Sequence, residues 1–143
     1  GDVICFVVVY DNLVRDVVEG GAQVLVVQTN NATFGYTNET YQQQAMSRIR
    51  AVEHGREVLI SSTSGVSAVI RPDGTVESTI PLFTPGYLTP TVPLITATTP
   101  GTVLGGPLEW VLALATPLGL AVVMIASRRR PAGRGSGAAG SPD

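Results

Sequence analysis

Cys5 is the only cysteine of the chain, and it lies in an apolar run, Val3-Ile4-Cys5-Phe6-Val7-Val8-Val9, that stops at Tyr10-Asp11-Asn12. A thiol carried to the end of a buried strand can serve as a nucleophile: its thiolate attacks an acyl carbon and holds the acyl group as a thioester. The same residue can be a small core hydrophobe, because free Cys is among the most buried side chains. Spacing alone leaves both readings open. His54 is the only histidine, and nothing in the spacing pairs it with Cys5. No group of His, Cys, Asp and Glu has metal-ligand spacing.

The elements that must position Cys5 follow from periodicity. The β-branched run around it predicts a first strand reaching Tyr10. Asp11 or Asn12 can cap a short helix to Glu19, with Leu13, Val14, Val17 and Val18 on one face and Gly20-Gly21 as its stop. Gln23 to Gln28 is a continuous apolar run, as in a strand buried on both faces. Strand, helix, strand in that order predicts an α/β sheet. Asn30-Asn31 and Gly35 mark a loop at the C-terminal end of the second strand, the edge where such sheets place their sites, so Asn31 and Phe34 are candidates to bind substrate; they read equally as turn residues with a packed aromatic.

Glu39 to His54 reads as one helix with Tyr41, Ala45, Ile49 and Val52 on one apolar stripe, charged residues on a solvated or salt-bridged face, and Gly55 as its stop. Val58 to Ser62 and Val66 to Arg71 are strands, and Pro72-Asp73-Gly74 turns the second into a hairpin with Val76 to Ile80. Prolines at 81, 85, 90, 93, 100 and 107 predict an extended Pro/Thr-rich strap over 81–107.

Residues 108–127 are mostly apolar, and Glu109 is the only charged residue among them. Twenty helical residues at about 1.5 Å each reach about 30 Å, the thickness of a hydrocarbon core. Trp110 suits one interface, and Arg128-Arg129-Arg130 predicts a cytoplasmic C-terminus with the folded part extracytoplasmic. The Gly-, Ala- and Ser-rich stretch to Asp143 predicts a disordered tail over 128–143.

Ile4-Cys5-Phe6, Tyr10-Asp11, Val14-Arg15-Asp16, the stretch Val24 to Gly35, Gln42 to Glu53 and Ser61 to Ile70 occur in an order that resembles the nucleophile half of the carbon-nitrogen hydrolase (nitrilase) superfamily. With the C-terminal apolar segment, they are most similar to its membrane branch, which acylates bacterial lipoproteins. The resemblance covers residues 1 to about 127 and implies a partial nitrilase-like α-β-β-α sandwich over residues 1–80, followed by one transmembrane helix in the bacterial inner membrane. It implies a Glu general base, a Lys that stabilises the oxyanion, and Cys5 as nucleophile, with the Phe6 backbone N–H as an oxyanion donor. It also implies a phospholipid acyl donor and an apolipoprotein acceptor, and neither a metal nor an organic cofactor.

All nine basic residues are Arg, so the implied lysine has no counterpart here. With neither an initiator Met nor a signal-peptide pattern at Gly1, the chain reads as the C-terminal part of a longer protein, inert alone. Members commonly carry an acid two residues after the cysteine. Here that residue is Val7, which removes a polar partner and disfavours the thiolate; Asp11 compensates only if the strand ends early enough to turn it inward. Two other readings follow from the same residues: a membrane-tethered amidase of this superfamily, and a non-catalytic membrane domain in which Cys5 is core.

The composition sets outer bounds. A 143-residue chain with 44% hydrophobic and 14% charged residues is too apolar for a disordered protein. Its net charge of -2 without a basic face argues against nucleic acid as a partner. One cysteine allows no internal disulfide framework.

Overall fold

A computed structural model describes residues 1–128; the rest of the Arg run and the predicted tail lie outside the described residues. Residues Gly1–Gly106 form one compact unit, and a second begins at Pro107.

The first unit is built on a five-stranded sheet in the order β1-β2-β3-β4-β5. Strands β1 (Asp2–Ile4), β2 (Leu25–Thr29) and β3 (Val58–Ser62) run parallel, and β4 (Ser67–Ile70) and β5 (Val76–Ile80) continue the sheet antiparallel. The parallel pairs are joined by α1 (Asp11–Glu19) and α2 (Glu39–His54), as crossover connections require. Gly74, at φ +81°, closes the β4–β5 turn, where Asp73 accepts hydrogen bonds from the Thr75 N–H and hydroxyl.

One face of the sheet carries Val3, Leu25, Val27, Val58, Ile60, Ala68 and Ile70, all buried with Val14 and Val18 of α1 and Ala51 of α2. Each fully buried Val or Leu contributes about 1.5–3 kcal/mol. Strand β2 alternates rather than being buried on both faces: Val26 is half-buried and Gln28 exposed. Val26, Leu59, Val69 and Ile80 line a groove on the far side together with Tyr87, Leu88 and Pro90 of the strap.

Three further expectations are corrected. The first strand ends at Ile4, and Cys5–Val9 form a 3-10 helix, although the Val-Val-Val sequence reads as strand. The cause is tertiary: the side chain of Arg50 hydrogen-bonds the carbonyls of Val8 and Val9, at 3.0 and 2.8 Å, and holds them out of a ladder.

Helix α2 is also turned around. Tyr41, Ile49 and Val52 are exposed, whereas Thr40, Gln43, Ser47, Arg50 and His54 face inward, where the turn after β1 presents polar groups that need partners. The third correction concerns the strap. Helix α3 (Pro100–Arg128) starts within the segment expected to be extended. Thr99 caps it, its hydroxyl accepting from the Thr102 N–H at 3.2 Å, and Pro100 stands at the first helical position, where its missing N–H costs nothing.

In the second unit, α3 continues with apolar residues exposed around it, among them Leu108, Trp110, Leu114, Leu118, Val123 and Ile125. A helix apolar on all sides is not the helix of a water-facing surface. With 28 residues to Ser127 and Pro107 and Pro117 in its interior, it is long and apolar enough to cross a membrane.

Candidate active site

The parallel register sets the site. Ile4, the last residue of β1, lies opposite Gln28, so Cys5, the first residue after the strand, comes beside Thr29 at the end of β2. Cys5 has φ +52°, a left-handed conformation that costs a residue with a Cβ about 1–2 kcal/mol. Such strain persists only where the surroundings impose it, and a sharp strand-to-helix turn with a reactive side chain at its apex is where it serves a purpose. The thiol is half-buried, and the Thr29 hydroxyl lies 3.3 Å from Sγ.

Beneath the thiol runs a buried polar network. The Thr29 hydroxyl bonds the Asn31 side-chain oxygen, Asn31 Nδ2 donates to Gln43 Oε1 at 2.8 Å and to Thr40 Oγ1 at 3.2 Å, and Gln43 Nε2 donates back to Thr29 at 3.3 Å. Asn31 is thus buried with its amide fully engaged, and it fixes the loop from below. Gly65 approaches so closely that a Cβ there would stand 2.8 Å from Asn31 Nδ2. Phe34 lies half-buried in a 3-10 turn, Ala32–Phe34, and its carbonyl accepts from the Thr37 hydroxyl at 2.7 Å. Phe6, 51% exposed, occupies the second position of the Cys5–Val9 turn, where a backbone N–H has no partner within the helix.

The turn is locked from α2. Besides the two carbonyls, Arg50 bonds the Asp11 carboxylate at 3.0 Å and that of Glu53. Asp11 also pairs with Arg15, so it serves the clamp. Val7 packs against the hydrophobic core instead. Burial raises the Glu53 carboxyl above its usual range, reinforced by its hydrogen bond with Asp11, while the guanidinium of Arg50 opposes the rise.

His54 is fully buried, and its Nδ1 lies 3.0 Å from the Thr102 hydroxyl. Burial pulls its pKa down to about 4, the Asp11 carboxylate opposing, so the ring is neutral at physiological pH. The fold therefore gathers Asp11, Glu53 and His54 although their spacing showed no such cluster. The guanidinium of Arg50 already bonds both carboxylates, so the cation this cluster needs is supplied by the protein.

A neutral His54 makes the fold sensitive to acid. Its folded pKa lies below that of the unfolded chain, so its contribution to stability is present above pH ~6.5 and is lost as pH falls toward about 4. The expected NMR titration shows imidazole resonances of His54 that stay fixed from neutral pH down to about 5. A midpoint near 6.5 contradicts its burial as a neutral ring.

A strained cysteine at a strand-to-helix turn, backed by a parallel sheet, can serve as a nucleophile. Residues 1–100 match the carbon-nitrogen hydrolase family, and the chain belongs to it. The chain is similar to proteins named apolipoprotein N-acyltransferase: it is 44% identical to that of Mycolicibacterium smegmatis over 85% of this chain and 20% of the relative. It is 39% identical to that of Ralstonia nicotianae over 80% of this chain and 21% of the relative, and 33% identical to that of Shewanella oneidensis over 67% and 18%. The chain thus spans about a fifth of the length of these relatives.

Proposed function

We propose that this chain carries the nucleophile of an apolipoprotein N-acyltransferase and works as part of a longer catalytic unit. The observation that carries the reading is Cys5 itself, held at φ +52° at the strand-to-helix turn of a carbon-nitrogen hydrolase domain.

In the proposed reaction, a carboxylate base takes the Cys5 proton and the thiolate attacks the ester carbonyl of a phospholipid acyl chain. A sulfur–carbon bond forms, the ester carbon–oxygen bond breaks, and the departing alcohol takes the proton. The free α-amine of a diacylglyceryl-cysteine then attacks the thioester: a nitrogen–carbon bond forms, the carbon–sulfur bond breaks, and a proton from nitrogen restores the thiol. The Phe6 N–H donates to the oxyanion of each tetrahedral intermediate. Phe34 forms part of the substrate wall, and Asn31 holds that wall in place. The oxyanion lysine comes from polypeptide outside these 143 residues, since the sequence contains no Lys, and the family resemblance places the general base ahead of the cysteine, outside them as well. Helix α3 anchors the unit in the bilayer that contains both substrates, which raises their effective concentration. By the Arg run its C-terminal end is cytoplasmic and the thiol faces the extracytoplasmic side.

The test uses the full-length protein with phospholipid and a diacylglyceryl-cysteine peptide. The expected product is the peptide heavier by one fatty acyl chain, on its α-amine. Hydrolysis of a soluble amide without lipid, and no acylated peptide, would establish the amidase reading instead.

A further inference from the structure

Thr29 has one hydroxyl proton and more than one acceptor for it. The Cys5 sulfur lies 3.3 Å from Oγ1, and the Asn31 side-chain oxygen bonds the same hydroxyl. The position of Asn31 is fixed, because both protons of its amide are engaged by Gln43 and Thr40. Gln43 Nε2 donates to Thr29 at 3.3 Å and keeps the hydroxyl oxygen in place while its proton turns. Thr29, Asn31 and Gln43 are 7%, 2% and 2% exposed, so water does not compete for these bonds.

We propose that Thr29 is a catalytic residue, a two-way hydrogen-bond partner of the Cys5 sulfur. When Cys5 is a thiol, its S–H donates to Thr29 Oγ1 and the Thr29 proton points at Asn31. When the base has removed the thiol proton, the Thr29 hydroxyl rotates and donates to the thiolate. No proton is gained or lost by Thr29; only its direction changes. Hydrogen bonds to an ionised sulfur are stronger than to a neutral one, so the hydroxyl favours the reactive form. In this site Val7 contributes no polar group, and Thr29 stands where a donor to sulfur is needed. The inference rests on Cys5 as the nucleophile but not on the identity of the acyl donor or acceptor.

The test is the rate at which iodoacetamide alkylates Cys5, read on its peptide by mass spectrometry across pH, in the full-length protein without lipid or lipoprotein. Thr29→Val, which keeps shape and removes the hydroxyl, is expected to slow alkylation at pH 7 by about tenfold and move the profile to higher pH. Thr29→Ser, which keeps the hydroxyl, is expected to stay within about twofold of wild type. A wild-type profile for Thr29→Val, or a Thr29→Ser variant as slow as Thr29→Val, overturns the role. Should Thr29→Val not fold, the wild-type Cys5 S–H stretch decides, identified by its loss in Cys5→Ser. A frequency lowered from that of a free thiol supports the bond to Thr29, and an unshifted one overturns it. Because neither readout requires acyl transfer, failure of lipoprotein acylation with a displaced Thr29→Val profile removes the proposed function and leaves this role standing.

Discussion

Replacing Cys5 by Ala in the full-length protein is expected to abolish acylation of a diacylglyceryl-cysteine peptide, a loss of at least about 10⁴-fold. Removing a covalent nucleophile removes the intermediate and every step that passes through it. The fold is expected to survive, because the side chain is small, half-buried and outside the hydrophobic cluster. Cys5→Gly sharpens the comparison. Glycine adopts φ +52° without the Cβ penalty, so this variant is expected to melt at or above the wild-type temperature while being just as inactive. A residue that lowers stability where it stands, and whose removal ends activity, is there for chemistry. A Cys5→Gly variant that melts well below wild type would mark the thiol as core instead.

The second large effect is expected at Arg50, which binds two carbonyls and two carboxylates around the turn from a side chain only 11% exposed. Arg50→Met leaves the Val8 and Val9 carbonyls without this partner and removes the guanidinium that bridges Asp11 and Glu53, so that only Arg15, on Asp11, still faces the two carboxyls. Breaking a buried charge cluster from one side costs about 3–5 kcal/mol. The sign with pH is specific. Glu53 is already raised above its usual range, and a raised acid stabilises the fold when protonated and loses that contribution as pH rises. Without Arg50 the rise is larger, so the deficit of Arg50→Met should shrink as pH is lowered through the carboxylate range. Chemical denaturation at several pH values measures this. Arg50→Lys keeps the charge but not the planar fork that reaches four acceptors, so it should restore much of the stability and little of the activity. A deficit below about 1 kcal/mol for Arg50→Met would show that the turn holds itself.

Much of this arrangement is legible in the sequence. The extents of α1 and α2, the Gly55 stop, at φ +59°, and the β4–β5 hairpin follow from periodicity and turn residues, but neither Asp11 nor Asn12 caps α1: it starts after Tyr10 without a side-chain cap, and Asp11 lies in its first turn, paired with arginines. What was hidden depends on partners distant in sequence. Val7-Val8-Val9 has the composition of a strand and becomes a 3-10 turn because Arg50, some forty positions later, holds its carbonyls. The inward face of α2 is polar for the same reason, so an apolar stripe pointed to the wrong side. The start of α3 was readable, since Thr99-Pro100 is a cap followed by a proline at the first helical position, but the surrounding prolines drew attention to an extended strap. Cys5 could be found by its residue type and family resemblance. Thr29 could not, because only the register of β1 on β2 brings it to the sulfur.

The central claim is that Cys5 holds the acyl chain in transit. The direct measurement is mass spectrometry of the Cys5 peptide after full-length protein is incubated with phospholipid and no acceptor. The account predicts a peptide heavier by one fatty acyl group, reversed by hydroxylamine and by addition of a diacylglyceryl-cysteine peptide. An unmodified Cys5 in a preparation that goes on to acylate the acceptor would contradict it.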